Sequence, residues 1–126
     1  MQEISIQSIG IVQNPFDETT PRDIFPESES DIILNPNFEG GLDGLVPGND
    51  IFIIFYLHRS DGYELHQHPR GDRTRPKRGV FSLRSPRRPN PIGLTKVKIL
   101  SIEKNRLRVR GLDAINGTPV LDIKPA

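Results

Sequence analysis

The alternation of apolar and polar residues along the chain predicts extended strands rather than helices. From Ile4 to Val12 the apolar residues recur with a period nearer two than 3.6, with Ile4 and Ile6 on one side. We therefore predict a first strand here, ending at Asn14-Pro15.

The segment after this strand is less regular. From Phe16 to Ser30 it is rich in acids, prolines and hydroxyl residues and has no sustained periodicity, which predicts a long surface loop. Asp31 to Leu34 predicts a short strand. Gly40 to Val46 can form at most one helical turn, because Pro47-Gly48 follows it.

The most apolar run is Ile51 to Leu57 (IFIIFYL), which predicts a central strand covered on both sides. Residues 60 to 79 contain several turn signals, so we expect a mobile basic loop with a short strand at Tyr63 to His66. Gly79 to Leu83 returns to strand character, and Arg84 to Asn90 (RSPRRPN) is predicted to be a turn.

The last third of the chain has the clearest alternation. Ile92 to Ile102 and Arg106 to Leu112 predict two long strands that form a hairpin across Glu103 to Asn105. An Asn-Gly turn then precedes a last short strand, Val120 to Ile123.

These elements define the expected fold class. Six or seven strands with minimal helix predict an all-β protein, either a small barrel or a sandwich, and closure into a barrel would remove exposed edges. The length of 126 residues predicts a single domain over residues 1 to 126. Twelve prolines and eleven glycines leave little room for long helices.

Composition narrows the cellular context. The absence of cysteine excludes disulfides, thiolate metal sites and a cysteine nucleophile. The N-terminal residues lack a basic region followed by an apolar run, and no run of about 18 apolar residues occurs. We expect a cytoplasmic protein that does not enter a membrane.

The net charge of +1 conceals an asymmetry between two parts of the chain. Residues 1 to 50 contain ten acids and one base, whereas residues 51 to 126 contain six acids and sixteen bases. The basic part can attract a polyanion, or the two parts can simply attract each other within one fold.

The densest charge feature is the segment from Arg70 to Arg88, which has eight Arg and Lys residues and one acid, Asp72. Arginine predominates, and its planar guanidinium suits phosphate and carboxylate, so RNA or a nucleotide is a reasonable partner. The alternative is a solvated basic loop. Prolines at 86, 89 and 91 stiffen the turn that presents Arg84, Arg88 and Asn90, which favours a functional role.

Other candidate features allow two interpretations each. His58, His66 and His68 resemble metal ligands in spacing, but no cysteine or carboxylate cluster accompanies them, and we expect no metal. Asp113 and Asp122 can cap turns or accept hydrogen bonds from a ligand. No glycine-rich nucleotide loop of the G-x-G-x-x-G or Walker type occurs.

Several long motifs resemble one known family. They are SIGIVQNPF at 8 to 16, Pro21-Arg22, FYLHRSDG at 55 to 62, HPRGDRTRPKRGVFSLRSPRRPNPIGL at 68 to 94 and GLDAINGTPVLDIKP at 111 to 125. Through these segments the chain resembles the TsaA-like proteins. That family includes tRNA methyltransferases that modify N6 of threonylcarbamoyladenosine at position 37.

The resemblance implies a small β-barrel, a homodimer, and S-adenosyl-L-methionine as cofactor. It places the cofactor contacts on four parts of this chain, which are Pro21, Arg22 and Asp23; His58 and Arg59; Arg84 and Leu94; and Asp113, Ala114, Ile115 and Asn116. Where the family commonly has Pro-Arg-Gln, this chain has Pro21-Arg22-Asp23, so we expect the contact there to differ.

The implied reaction is methyl transfer from a sulfonium to a nitrogen, which requires an in-line approach and loss of the N6 proton. Because the carbamoyl group delocalises the N6 lone pair, the nitrogen needs polarisation, and we predict Arg84, Arg88 and Asn90 as the catalytic polar groups. Two alternatives are an S-adenosylmethionine-binding module without activity and an RNA-binding barrel without a cofactor.

Overall fold

The chain forms a closed barrel of six antiparallel strands and a separate two-stranded ribbon, in a computed structural model that describes all 126 residues. The barrel strands are β1 (Gly10–Gln13), β2 (Glu29–Leu34), β3 (Asp50–Tyr56), β6 (Ile92–Glu103), β7 (Arg106–Arg110) and β8 (Pro119–Pro125). The ribbon pairs β4 (His66–Gln67) with β5 (Arg78–Gly79). The predicted small all-β barrel is therefore confirmed.

The barrel closes in the order β1-β2-β7-β6-β3-β8, and β8 pairs again with β1. Helical structure is confined to four short 3-10 segments, Arg22–Glu27, Pro36–Leu42, Pro69–Gly71 and Val80–Ser82. None of these segments is long and apolar enough to cross a bilayer.

Alternation along the strands builds the core. In β3 the side chains of Ile51, Ile53 and Phe55 are buried inside the barrel, whereas Phe52 and Ile54 lie half-buried on its outer face. The strand is where the sequence predicts it, but only its inner face is fully covered, because it belongs to a closed sheet whose outer face is partly exposed to solvent.

The first strand is shorter than predicted. Only Gly10–Gln13 belongs to the ladder, while Ile9 donates its amide hydrogen to the Val120 carbonyl at 2.7 Å and ends the pairing. The alternating residues before it lie on the outside of the barrel instead. Ile4 and Ile6 border a groove there and remain exposed.

The segment from Phe16 to Ser30 is not the surface loop that we expected. It contains the 3-10 segment Arg22–Glu27, and its Phe25 is buried edge-on against Phe16, with ring centroids 5.4 Å apart. Ser28 and Ser30 are buried as well. A 3-10 segment of this length shows no periodicity in sequence, and Pro26 within it resembles a loop signal.

Two other helical turns replace predicted features. The turn expected within Gly40 to Val46 lies earlier, at Pro36–Leu42, because the Asn35 side chain caps it by accepting from the Asn37 amide. The strand expected at Gly79 to Leu83 stops at Gly79 and continues as the 3-10 segment Val80–Ser82.

The C-terminal predictions agree with the structure. Strands β6 and β7 form the expected hairpin, whose turn places Lys104 in the left-handed region at φ 55°. In the middle of the chain, by contrast, the strand predicted at Tyr63 to His66 is wrong except at its last residue, because the ribbon strand β4 is His66–Gln67. The last strand, β8, contains the predicted Val120 to Ile123 and extends beyond it at both ends.

Candidate functional site

Three chain connections meet at one end of the barrel. Because neighbouring strands are antiparallel, the connections 14–28, 57–91 and 111–118 all leave from the same end, and residues 35–49 and 104–105 lie at the other. Every residue predicted to bind the cofactor or to take part in catalysis lies on these connections, except Leu94, which is the third residue of β6 and lies next to them. The topology therefore brings four motifs that are separate in sequence to the same end of the barrel.

The first and third connections touch directly. The Arg22 Nη2 atom lies 3.3 Å from the Asp113 carboxylate, and both side chains remain largely exposed. Pro21 precedes the 3-10 segment that begins at Arg22, and Asp23 lies exposed in its first turn. The structure therefore joins Arg22 and Asp113, residues 91 positions apart in sequence, into one charged pair.

The third connection offers unused backbone donors. The amides of Asp113, Ala114 and Ile115 have no hydrogen-bond acceptor within the chain, although Ala114 is buried. Its carbonyls, in contrast, are used: the Ala114 carbonyl accepts from Asn14, and the Ile115 carbonyl from the Thr118 hydroxyl at 2.7 Å. Buried amides normally have partners, so this loop is suited to donate to a bound ligand.

Asn14 is a residue that the sequence analysis did not select. Its side-chain amide donates to the Ser30 hydroxyl at 3.0 Å and to the Ala114 carbonyl at 2.9 Å, and its Oδ1 accepts from the Phe16 amide. Its backbone amide donates to the Oδ1 atom of Asn116 at 3.1 Å. Asn14 thereby ties the first connection to the third, and its place in the SIGIVQNPF motif is the only sequence signal for it.

His58 and Arg59 lie in a turn that follows β3. The His58 Nε2 atom is 4.0 Å from the position that a Cβ would take at Gly117, so the imidazole lies against the Asn-Gly turn. Arg59 forms an ion pair at 3.4 Å with Glu18 of the first connection. These two residues bring the start of the second connection to the other two.

The predicted catalytic turn is held by its own arginines. Arg84 donates to the Leu94 carbonyl at 2.8 Å, which joins two predicted cofactor residues. The half-buried Arg88 donates through Nη1 to the carbonyls of Leu83 at 2.7 Å and Ser85 at 3.3 Å. Arg88 therefore stabilises the turn from within, and Asn90 at its end borders an outer groove.

Two residues outside the turn fix its backbone. The Ser60 hydroxyl donates to the Pro86 carbonyl at 2.8 Å, and the Gln67 amide donates to the Arg87 carbonyl at 2.8 Å. Neither was predicted as a site residue, because an interaction with a backbone carbonyl leaves no pattern in the sequence.

The groove beside Asn90 has a volume of about 410 Å³. It separates the N-terminal residues from the ends of β3, β6 and β8, and its walls are mainly apolar. Its lining residues are Ile4, Ser5, Ile6, Ser8, Tyr56, Asn90, Pro91, Ile92, Pro119 and Leu121.

Two carboxylates shape the connections locally. The Asp17 carboxylate accepts from the Thr19 hydroxyl at 2.6 Å and from its amide, which lowers the pKa of Asp17. Asp72 makes the same contacts with Thr74, and they lower the pKa of Asp72, with a smaller contribution from the charge of Arg75. Both act as turn-forming groups, as expected of Asp in loops.

The three histidines do not form a metal centre. The His68 Nδ1 atom lies 2.8 Å from the Arg75 carbonyl, and no group of three or more His, Cys, Asp or Glu residues is arranged to hold a metal ion.

The chain is similar to a known protein family and to several known relatives. The sequence model described as the tRNA-methyltransferase O N-terminal domain matches residues 11–126. A protein of Methanothermobacter thermautotrophicus, described as a probable S-adenosyl-L-methionine-binding protein, is 44% identical over 126 residues, covering 98% of this chain and 90% of the relative. The human tRNA (adenine(37)-N6)-methyltransferase is 43% identical over 97 residues, covering 75% of this chain and 21% of that protein.

The fold also has a solved counterpart. The crystal structure of TrmO from Pseudomonas aeruginosa matches 99% of this chain with a TM-score of 0.75 and 30% identity. The chain spans 56% of the length of that solved chain.

Proposed function

Because the chain belongs to the tRNA-methyltransferase O N-terminal domain family, whose model matches residues 11–126, we propose that it transfers a methyl group from S-adenosyl-L-methionine to N6 of an adenine in tRNA. The observation that carries this proposal is the meeting of Arg22, Asp113 and the unpaired amides of residues 113 to 115 at one barrel end, beside the basic turn. Relatives described as S-adenosyl-L-methionine-binding and as tRNA (adenine(37)-N6)-methyltransferase support it.

The residues present fit a zwitterionic amino-acid and nucleoside ligand. We assign the ligand carboxylate to Arg22 and its ammonium group to Asp113, since the two side chains offer opposite charges 3.3 Å apart. The free amides of the third connection can donate to ring or ribose acceptors. The remaining contacts that we propose are Pro21, Asp23, His58, Arg59, Arg84, Leu94, Ala114, Ile115 and Asn116.

The cofactor, when bound, supplies an electrophilic methyl group on a sulfonium. Bound at this site, the cofactor would supply the methyl group for the new N6–CH3 bond as its S–CH3 bond breaks, and the N6 proton would leave to water or to a carboxylate of the substrate. Arg84 and Asn90 polarise the carbamoyl group of a threonylcarbamoylated adenosine, because a cation nearby stabilises the negative charge that develops there. Arg88 acts by holding their turn through the carbonyls of Leu83 and Ser85.

We further propose that the chain works as a homodimer in the cytoplasm. The outer face beside the groove exposes apolar side chains that a second copy would cover, namely Ile4, Ile6, Tyr56, Ile92 and Leu94. The absence of cysteine is compatible with a reducing compartment.

The decisive test is transfer of a labelled methyl group into tRNA that carries threonylcarbamoyladenosine. We expect incorporation by the unaltered protein and, because each change leaves one charge of the ligand unpaired, a rise of at least about tenfold in the Kd of the methyl donor for Arg22→Gln and for Asp113→Asn. Lys124→Gln, on the far end of the barrel, is the matched control. Absence of incorporation at saturating protein and donor contradicts the proposed activity.

One alternative has an observation of its own. Archaeal relatives are described only as S-adenosyl-L-methionine-binding proteins, which favours a binding module. Calorimetry that shows donor binding, together with tRNA of unchanged nucleoside mass, would establish that alternative instead.

A further inference from the structure

Three apolar side chains project into solvent from the segments that flank the two-stranded ribbon of β4 and β5. Tyr63 is 56% exposed, Leu65 is 54% exposed and Phe81 is 80% exposed. The Val80 amide donates to the Leu65 carbonyl at 2.8 Å, which brings the two chain segments side by side. We call these three exposed side chains, Tyr63, Leu65 and Phe81, the ribbon patch. It contributes nothing to the barrel core.

The turn that carries Phe81 is firmly built. Val80 is 1% exposed, so the chain turns from the interior to solvent within one residue. The Ser82 hydroxyl donates to the Gly79 carbonyl at 2.6 Å, and the Arg78 guanidinium donates to the Ser82 carbonyl at 3.2 Å. Phe81 is therefore presented on a hydrogen-bonded turn with a guanidinium group beside it.

The charges around the ribbon patch are not neutralised within the chain. Of the eight Arg and Lys residues between Arg70 and Arg88, only Arg87 has a carboxylate within 4.0 Å, that of Glu64 at 3.1 Å. On the barrel wall the situation is the reverse. Each arginine of β7 pairs with a carboxylate of β2, in the pairs Arg106–Asp31, Arg108–Asp31, Arg108–Glu29 and Arg110–Glu29.

This contrast indicates an anionic partner for the ribbon. Proteins bind single-stranded nucleic acid with exposed aromatic side chains and a positively charged surface, on which bases stack on the rings and phosphates contact the cations. A second copy of the chain fits less well, because a two-fold interface through this patch would bring two surplus-positive ribbons together.

We propose that the ribbon patch binds unpaired nucleotides of the RNA substrate, with Phe81 stacked on a base and cations such as Arg73 on the flanking phosphates. This inference rests on the proposed function, since it names the surface that holds the RNA whose adenine is methylated. It assigns Phe81 a role in substrate affinity and none in methyl-donor binding.

The test measures binding of a synthetic anticodon stem-loop RNA by the full chain, with fluorescence anisotropy. We expect Phe81→Ala to weaken RNA binding by about 5- to 150-fold, the range found when one stacked base loses its aromatic partner. Phe81→Trp should bind like the unaltered protein, whereas Phe81→Leu, which is apolar but lacks a π-face, should not. Phe38→Ala is the matched control, because Phe38 is 46% exposed at the opposite end of the barrel.

The charge component has its own readout. Arg73→Gln should reduce the slope of log affinity against log salt by about 0.7, the value for one contact with a single-stranded phosphate. Lys124→Gln, whose ammonium group lies 3.2 Å from Asp122, should leave the slope unchanged. The Kd of S-adenosylmethionine should be the same in all these variants.

Three results would overturn the proposal: Phe81→Ala binds RNA within twofold of the unaltered protein, Phe81→Leu binds as well as Phe81→Trp, or Phe81→Ala changes the oligomeric state in sedimentation without RNA. The last result would make the ribbon patch an interface between copies. Failure of the proposed function looks different, because Phe81-dependent RNA binding without methyl transfer contradicts that function and leaves this inference standing. Methyl transfer by Phe81→Ala with an unchanged KM for RNA would support the proposed function and contradict this inference.

Discussion

Asn14 shows how a single side chain can join two connections that are distant in sequence. Its side-chain amide donates to the Ala114 carbonyl and to the Ser30 hydroxyl, its Oδ1 accepts from the Phe16 amide, and its backbone amide donates to Asn116. The amides of residues 113 to 115 are left free in that arrangement. In the proposed donor site their direction depends on Asn14, to which we assign a positioning role.

We therefore predict that Asn14→Ala raises the Kd of S-adenosylmethionine by about tenfold and lowers the free energy of unfolding by about 1–3 kcal/mol, because the Ser30 hydroxyl and the Ala114 carbonyl lose their donor. Calorimetric titration and urea unfolding measure the two effects. Asn37→Ala, on the exposed far end of the barrel, should alter neither. Equal donor affinity in Asn14→Ala and the unaltered protein would contradict the positioning role.

Gly93 is a second residue whose effect is indirect. A Cβ at this position would lie 2.5 Å from the buried Phe55 ring, its partner across β3 and β6. We predict that Gly93→Ala destabilises the protein by about 1–3 kcal/mol, since the core must shift to accept the methyl group.

Thermal unfolding measures this loss, and Gly40→Ala is the control, since nothing lies within 4 Å of a Cβ there. A melting temperature of Gly93→Ala equal to that of Gly40→Ala would show that the Phe55 ring moves without cost.

At the scale of elements, the ion pairs between β2 and β7 link two neighbouring strands on the outer wall of the barrel. Glu29 accepts from Arg108 at 2.9 Å and lies 3.5 Å from Arg110. The hydrogen bond from Arg108 lowers the pKa of Glu29, and partial burial opposes this. The strands also share backbone pairing from Glu29 to Ile33, so the ion pairs reinforce an existing ladder.

A pH dependence follows from the lowered pKa of Glu29. The stabilisation is fully present above the ordinary pKa of a glutamate, about 4.3, and is lost as pH falls through the lower pKa of the folded state. We expect Glu29→Gln to be less stable than the unaltered protein in urea at pH 7, and the difference to shrink in acid. Glu39→Gln, whose carboxylate has no ion pair, is the control, and a difference that grows in acid would contradict the assignment.

At the scale of the whole molecule, the sequence predicts the barrel class because strands with a two-residue period dominate and because hairpins such as β6–β7 are local. It does not predict the barrel order, since β1 meets β8 through contacts between distant residues. The residues of the candidate site likewise include some that the sequence predicts and some that it does not. Family motifs select Arg22 and Asp113, whereas Asn14, Ser60 and Gln67 act on backbone carbonyls and become visible only once the chain is folded.

The seam at which β1 meets β8 has a consequence for protein synthesis. Val12 donates to the Thr118 carbonyl and accepts from the Gly117 amide, so residues near the two ends of the chain must both be present before the seam forms. The Arg22–Asp113 pair and the Asn14 contacts straddle this seam. On the ribosome, the Arg22–Asp113 pair and the Asn14 contacts therefore cannot form until the residues up to β8 have emerged, so a partly synthesised chain lacks the arrangement on which the proposed function depends.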